Sequence, residues 1–244
     1  MKILAFESTA KITSVAVTDD LKRIAGCDIE NGLSQSELLL PAAEALLSAS
    51  RLTFDDIDLF ACTSGPGSFT GVRIGVSVVK GLAFGRNKPC VGVSTLASLA
   101  ENLRGTDGFI VPCMDARRGQ FYSAIFRMFR GELKRVSPDE AIGGEELCKK
   151  LSDISRGRKI YVCGDGYNQA KELFSRYGLK TADTPFLLRS ESAYSCAAAA
   201  YRMFLRGEYV SDVKLSPSYL RLPQAERERL EKAEREKSQK TTII

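Results

Sequence analysis

The sequence predicts an α/β protein made of two successive units. Short β-branched apolar runs alternate with longer stretches of helical periodicity. The order β-β-β-α-β-α occurs twice along the 244 residues. Between the two copies, Arg104-Gly105-Thr106-Asp107-Gly108 is the clearest interruption of the apolar pattern. The expected organisation is a first subdomain over residues 1–104, a second over 105–223 and a charged tail over 224–244.

The first unit opens as a three-stranded meander. Residues 3–7 form an apolar run, 12–17 alternate loosely with β-branched side chains, and 24–29 supply a third strand. The small, hydroxyl-rich Ser8-Thr9-Ala10-Lys11 turns the chain between the first two. A helix follows over 36–51, capped by Ser34 or Ser36, with Leu39, Ala43, Leu46 and Leu47 on its apolar face. Pro41 removes a backbone hydrogen bond, which this helix tolerates if its regular part begins only a residue or two earlier. A strand at 57–62, a long helix at 69–84, a strand at 90–93 and a helix capped by Ser94 and running to Leu103 complete the unit. The second unit repeats the scheme with strands at 109–114, 120–128 and 133–136, a helix at 145–155, a strand at 159–163, and helices at 167–177 and 192–205. The halves resemble each other in element order, not in residues.

Composition narrows the chemistry. Hydrophobic residues at 44% and charged residues at 27% are ordinary globular values, and the net charge of +5 falls short of a nucleic-acid footprint. The seven cysteines form no C-x-x-C pair, and most lie in apolar stretches where thiols act as small hydrophobes. A reducing, cytoplasmic setting is expected, since no signal segment is recognisable and no apolar run reaches the ~18 residues of a membrane span. The chain contains no histidine. Ser-His-Asp and Cys-His nucleophile systems are thereby excluded, as is zinc held by imidazole. Chemistry near neutral pH would rest on carboxylates, lysines or a bound nucleotide and metal. Residues 224–240 are almost entirely charged, with i,i+4 pairs such as Glu228 with Lys232 and only Leu230 to bury. They read as a solvated helix or an unstructured tail.

The segment from Gly65 to Gly75 concentrates the functional interest. Gly65 and Gly67 permit positive φ and close backbone approach, Pro66 stiffens the turn, and Ser68 or Thr70 can cap the helix behind it. On these residues the turn reads equally as an anion cradle at a helix start or as a simple tight bend; neither a Walker A ending nor G-x-G-x-x-G is present. The helix itself places Gly71, Gly75, Val78 and Leu82 on one stripe. Each interior glycine costs about 1 kcal/mol relative to alanine, so close packing of another element should offset it. That element is either a partner protein or another part of the same chain. Arg73, in the first turn, is a candidate ion-pair donor at an interface.

The run Gly65-Pro66-Gly67-Ser68-Phe69-Thr70-Gly71-Val72-Arg73-Ile74-Gly75 closely resembles the signature of the TsaB family, formerly YeaZ. Val91-Gly92-Val93-Ser94-Thr95-Leu96, Met114-Asp115-Ala116-Arg117-Arg118-Gly119-Gln120-Phe121-Tyr122 and Pro217-Ser218-Tyr219-Leu220-Arg221 resemble three further family segments in order and spacing. The resemblance implies an actin/hexokinase/Hsp70-like (ASKHA) fold of two related subdomains. It also implies a cytoplasmic, non-catalytic subunit in the transfer of threonylcarbamoyl to adenosine 37 of tRNAs reading codons that begin with A. The implied partners are the catalytic paralogue TsaD, the ATPase TsaE, and a second copy of the chain when alone; tRNA is met only through the complex, and no membrane is involved. The implied partner or dimer interface is Gly67, Ser68, Phe69, Gly71, Val72, Arg73, Gly75, Val78 and Leu82. No cofactor, metal or catalytic residue is expected. A weaker nucleotide site would comprise Glu7, Ser8, Thr9 and Asp115, and with Glu7 and Asp115 around magnesium phosphate it would suit a small-molecule kinase or ATPase of the same superfamily. Glu7 stands where the family usually has aspartate, and Gln35 where many relatives have histidine.

Overall fold

The computed structural model describes residues 1–221. The charged tail expected at 224–244 lies outside the described residues. Two sheets of matching topology form the frame. The first contains β1 (Lys2–Glu7), β2 (Thr13–Asp19), β3 (Lys22–Ile29), β4 (Leu59–Gly65) and β5 (Cys90–Ser94), in the order β3-β2-β1-β4-β5. The second is built on β6 (Gly108–Asp115), β7 (Gln120–Ser123), β10 (Glu140–Gly143), β11 (Ile160–Cys163) and β12 (Thr181–Ala182), in the order β10-β7-β6-β11-β12. A hairpin of β8 (Phe126–Phe129) and β9 (Glu132–Arg135) is inserted beside β6. The helices are α1 (Gln35–Ala49), α2 (Phe69–Ala83), α3 (Thr95–Glu101), α4 (Gly144–Ser155), α5 (Tyr167–Arg176) and α6 (Ala193–Leu205).

Strand alternation assigns the two faces of each sheet. Leu4, Phe6, Val15, Val17, Phe60 and Cys62 pack under α1 and α2, while Ile3, Ala5, Ala16, Leu59 and Ala61 face the other way. That second face is small, and the alanine-rich α6 lies on it through Ala193, Cys196, Ala197 and Ala200. In the second sheet Phe109, Val111, Ile160 and Val162 pack under α4 and α5. Its opposite face receives α3, where Leu96, Leu99 and Leu103 meet Ile110, Met114, Phe126 and Met128. The inner face of each unit is thus covered by the last helix of the other.

Four expectations change. The strands of the two sheets fall on either side of residue 104, but the chain returns: α6 packs on the first sheet, Val210 bridges to Cys90, and Leu215 enters the first core. The single strand expected at 120–128 is two, because the register opens opposite Pro112, which has no N–H to donate; Ile125 instead bonds to Val136 and Ser137. The short β10 is absent from the expected strands, its Glu140-Ala141-Ile142-Gly143 offering one fully buried side chain and little alternation. Finally, α1 starts at Gln35, so Pro41 lies well inside it, on its exposed side. Ser34 caps this helix, its N–H donating to Glu37 Oε2 at 2.9 Å.

The small inner face of the first sheet leaves no room beneath α6. Ala197→Leu is expected to destabilise by about 1–3 kcal/mol through overpacking. A thermal melt followed by circular dichroism should show the midpoint falling by several degrees; an unchanged midpoint would mean that α6 is loosely seated.

Candidate functional site

The wholly buried strand β4 runs out at Gly65, and the chain turns through Pro66 and Gly67 into α2. Ser68 caps the helix by accepting from Gly71 N–H at 3.3 Å. The β1–β2 turn sits against this loop: Ser68 N–H donates to Thr9 O at 2.8 Å, and Ser8 Oγ donates to Gly71 O at 2.8 Å. A Cβ on Gly71 would collide with Ser8 O, and one on Gly75 would come within 2.6 Å of Ser8 Oγ. Gly67, at φ +153°, would place a Cβ 2.7 Å from the Thr9 side chain.

Gly71 and Gly75 of α2 are therefore required by the chain's own turn. Of the expected interface residues, Gly71, Val72 and Gly75 are buried inside the protein and offer nothing to a partner. Val78 and Leu82 are half-buried against the first core. The solvent side of α2 is instead a line of Arg73, Ser77, Gly81 and Phe84. A Cβ added at Gly81 would meet no atom within 4 Å, and Phe84, the C-cap, is 75% exposed. A bulky substitution at Gly75 would damage the fold before it reported on any partner.

Gly67, Ser68 and Phe69 lie at the rim of this face, and Phe69 and Arg73 are engaged by a C-terminal strap. Ser218 N–H donates to Ser64 O at 2.7 Å, the Tyr219 ring stacks on Phe69 at 4.9 Å, and Arg73 Nε donates to Tyr219 Oη at 2.8 Å. Two residues on, Arg221 donates to Ala116 O at 2.7 Å and to Gln120 Oε1, with its guanidinium over Tyr122. The strap so joins the start of α2 to the β6–β7 turn of the second unit. Residues 217–221 are legible as a motif, but nothing in their spacing announces a strap.

The weaker nucleotide residues lie at the end of β1 (Glu7), in the β1–β2 turn (Ser8, Thr9) and at the end of β6 (Asp115). Glu7 is fully buried; its Oε1 accepts from Thr9 N–H at 2.7 Å and Thr9 Oγ1 at 2.5 Å, while Oε2 has no partner among the described residues. Burial raises the Glu7 carboxyl above its ordinary range, opposed by the two Thr9 hydrogen bonds. The hydroxyls of Ser8 and Thr9 are both turned inward, onto Gly71 O and Glu7. Asp115 is exposed and accepts from Arg117 N–H at 2.7 Å. Asp165 accepts from Asp115 N–H at 2.9 Å, and burial lifts its carboxyl, with the Asp115 charge adding to the rise. Glu191, 4% exposed, is pushed up to about 8 by burial, with Glu7 and Asp165 adding to it. Sequence reasoning misses Glu191 and Asp165, since neither sits in a recognisable motif. Among the described residues no three of Asp, Glu or Cys are grouped to hold a metal ion.

Known proteins match this frame. The family model described as TsaD: tRNA N6-adenosine threonylcarbamoyltransferase matches residues 34–238. The tRNA threonylcarbamoyladenosine biosynthesis protein TsaB of Escherichia coli K12 is 30% identical over 91% of this chain and 95% of its own length. The protein of the same name from Bacillus subtilis 168 is 29% identical over 93% of this chain and 96% of its own. Among solved structures, YeaZ from Pseudomonas aeruginosa superposes with a TM-score of 0.73 at 24% identity, covering 90% of this chain and 99% of that one. The Lmo2764 protein of Listeria monocytogenes shares the fold at a TM-score of 0.50 and 12% identity, over 85% of this chain and all of that one. The architecture is the actin/hexokinase/Hsp70-like one that the family resemblance implies.

The buried acids make stability depend on pH with a definite sign. A neutral Glu191 contributes stability in full below its ordinary value of 4.5, and loses it as the pH rises towards about 8. Glu191→Gln is therefore expected to melt several degrees higher than the parent chain near pH 8 and to differ little near pH 5. Differential scanning calorimetry at the two pH values measures this, and equal midpoints at both would contradict it.

Proposed function

We propose that this chain, which belongs to the TsaB (YeaZ) family of tRNA threonylcarbamoyladenosine biosynthesis proteins, is a non-catalytic subunit that docks the catalytic paralogue TsaD on the solvent side of α2. Its involvement in tRNA threonylcarbamoyladenosine biosynthesis follows from the family. The docking role is carried by one observation: the line Arg73, Ser77, Gly81 and Phe84 is a narrow, small-residue track ending in a 75% exposed phenylalanine. A helix tolerates an exposed glycine at a cost of about 1 kcal/mol, and a flat track lets a partner helix approach closely. A large exposed aromatic beside it supplies the buried anchor that interfaces favour.

In this reading Val78 and Leu82 border the contact, and Gly67, Ser68, Phe69 and Arg73 form its polar end. Tyr219 holds Phe69 and Arg73 in place, so the strap pre-sets the shape of that end. TsaD supplies the metal and the transfer chemistry, TsaE joins the assembled pair, and tRNA reaches the chain through the complex. A second copy of the chain occupies the same face when TsaD is absent. Among the described residues no helix is long and apolar enough to cross a membrane.

Gly81→Arg adds a long side chain where the chain itself places nothing, and replaces glycine by a good helix former. The variant should fold with an unchanged or higher melting midpoint, yet lose co-purification with TsaD and the reconstituted tRNA modification. Retention of both would exclude α2 as the docking face. Phe84→Glu should behave alike and also shift the isolated chain from dimer to monomer on size exclusion.

A further inference from the structure

At the C-terminal end of α6, the end opposite Glu191, a second concavity opens between α3, α6 and the β8–β9 hairpin. Its volume is about 350 Å³, at the lower end of the range of small-ligand sites. Four arginines line it: Arg104 after α3, Arg135 on β9, and Arg202 and Arg206 at the end of α6. Ala97, Ala199, Leu133, Phe126 and Met203 make its walls.

The guanidinium groups are not equally satisfied. Arg104 binds Glu101 with two hydrogen bonds of 2.7 and 2.8 Å, and Arg206 binds Glu208 with two of 2.6 and 3.2 Å. Arg135 is paired with Asp139, which also accepts from Ser94 Oγ at 2.5 Å. Three carboxylates thus serve three arginines. Arg202 shares Glu101 with Arg104: its Nε lies 3.6 Å from Glu101 Oε1, an ion pair beyond hydrogen-bond reach, and that N–H is buried with no acceptor among the described residues. Glu101 is only 8% exposed and accepts its two short hydrogen bonds from Arg104, so its pairing with Arg202 is the longer one. A buried guanidinium N–H without an acceptor is costly unless something supplies one.

We infer that this concavity is a binding site for a small phosphate-bearing ligand, with Arg202 as the principal anion contact and Arg135 and Arg206 closing over it. The donors arrive from two different elements, β9 and α6, so they suit a tetrahedral oxyanion with acceptors on several sides better than a flat carboxylate. Guanidinium forks match such oxygens in bidentate fashion. The cavity exceeds what bare phosphate fills, and its apolar walls leave space for an organic body. The ligand would touch β9, beside the second sheet, and α6, which packs on the first sheet, at once. This site is separate from the buried Glu7 and from the α2 face, and it stands or falls independently of the docking role.

The test is calorimetric titration of the full-length chain at low ionic strength, where surface pairing is least screened. Inorganic pyrophosphate and AMP are the probes. Saturable binding of AMP supports an organic phosphate ester, and binding of pyrophosphate alone supports the same phosphate contact with a ligand lacking the organic body. Arg202→Met keeps much of the side-chain length and removes the charge; it should weaken binding at least about tenfold, as the loss of one charge-assisted pair implies. Arg118→Met, at an exposed arginine of the β6–β7 turn, should leave binding unchanged. Should Arg202→Met melt early, phosphate-induced shifts of the Arg202 Nε–H signal in the parent chain give the same answer. Absence of binding by both probes, equal affinity in Arg202→Met, or binding of tRNA but of neither small phosphate would overturn the assignment.

Discussion

The exchange of last helices between the two units is the constraint from which the rest of the molecule follows. An open sheet with helices on one side alone exposes the apolar side chains of its other face to water. Here α6 covers the inner face of the first sheet and α3 that of the second. Neither unit can bury its own second face without the other. The alanines of α6 match the alanines of β1, β2 and β4, so the two layers approach closely and hold the units in one arrangement. The chain's return through Val210 and Leu215 into the first core then brings residues 217–221 across to the start of α2.

Within the first unit, a smaller constraint orients α2. The carbonyl and hydroxyl of Ser8 occupy the space that side chains at positions 71 and 75 would need. The helix therefore presses Gly71 and Gly75 onto the β1–β2 turn and turns its opposite side outward. One contact sets both the seat of the turn beside Glu7 and the residues presented to solvent. Val76 and Val79 secure the same rotation from the core side.

Charge is distributed along α6 in a way the net value conceals. Near its N-terminal end Glu191 feels Glu7 and Asp165, and burial raises each of these carboxyls above its ordinary value. At its C-terminal end Arg202 and Arg206 join Arg104 and Arg135. A helix dipole favours negative charge at the first end and positive charge at the last. The arginine end follows that preference, so an anion bound there is drawn by the side chains and not by the backbone. At the acidic end desolvation is the largest cause of the rise in each carboxyl.

The sequence by itself determined the α/β class, the doubled element order and most of the elements, because alternation and helical periodicity are local properties of burial. It also marked the Gly65–Gly75 segment as special, since several glycines in one helix demand an explanation. Tertiary structure alone decided what that explanation was. The stripe that reads as a partner's seat holds Ser8, 63 residues before Gly71, and nothing in the spacing of Gly71 and Gly75 distinguishes a neighbour in the same chain from one in another. The same limit hides Glu191 and Asp165, and the grouping of four arginines from separate elements around one hollow. Periodicity reports which face of an element is covered; what covers it depends on how distant elements meet, and that is a property of the folded chain.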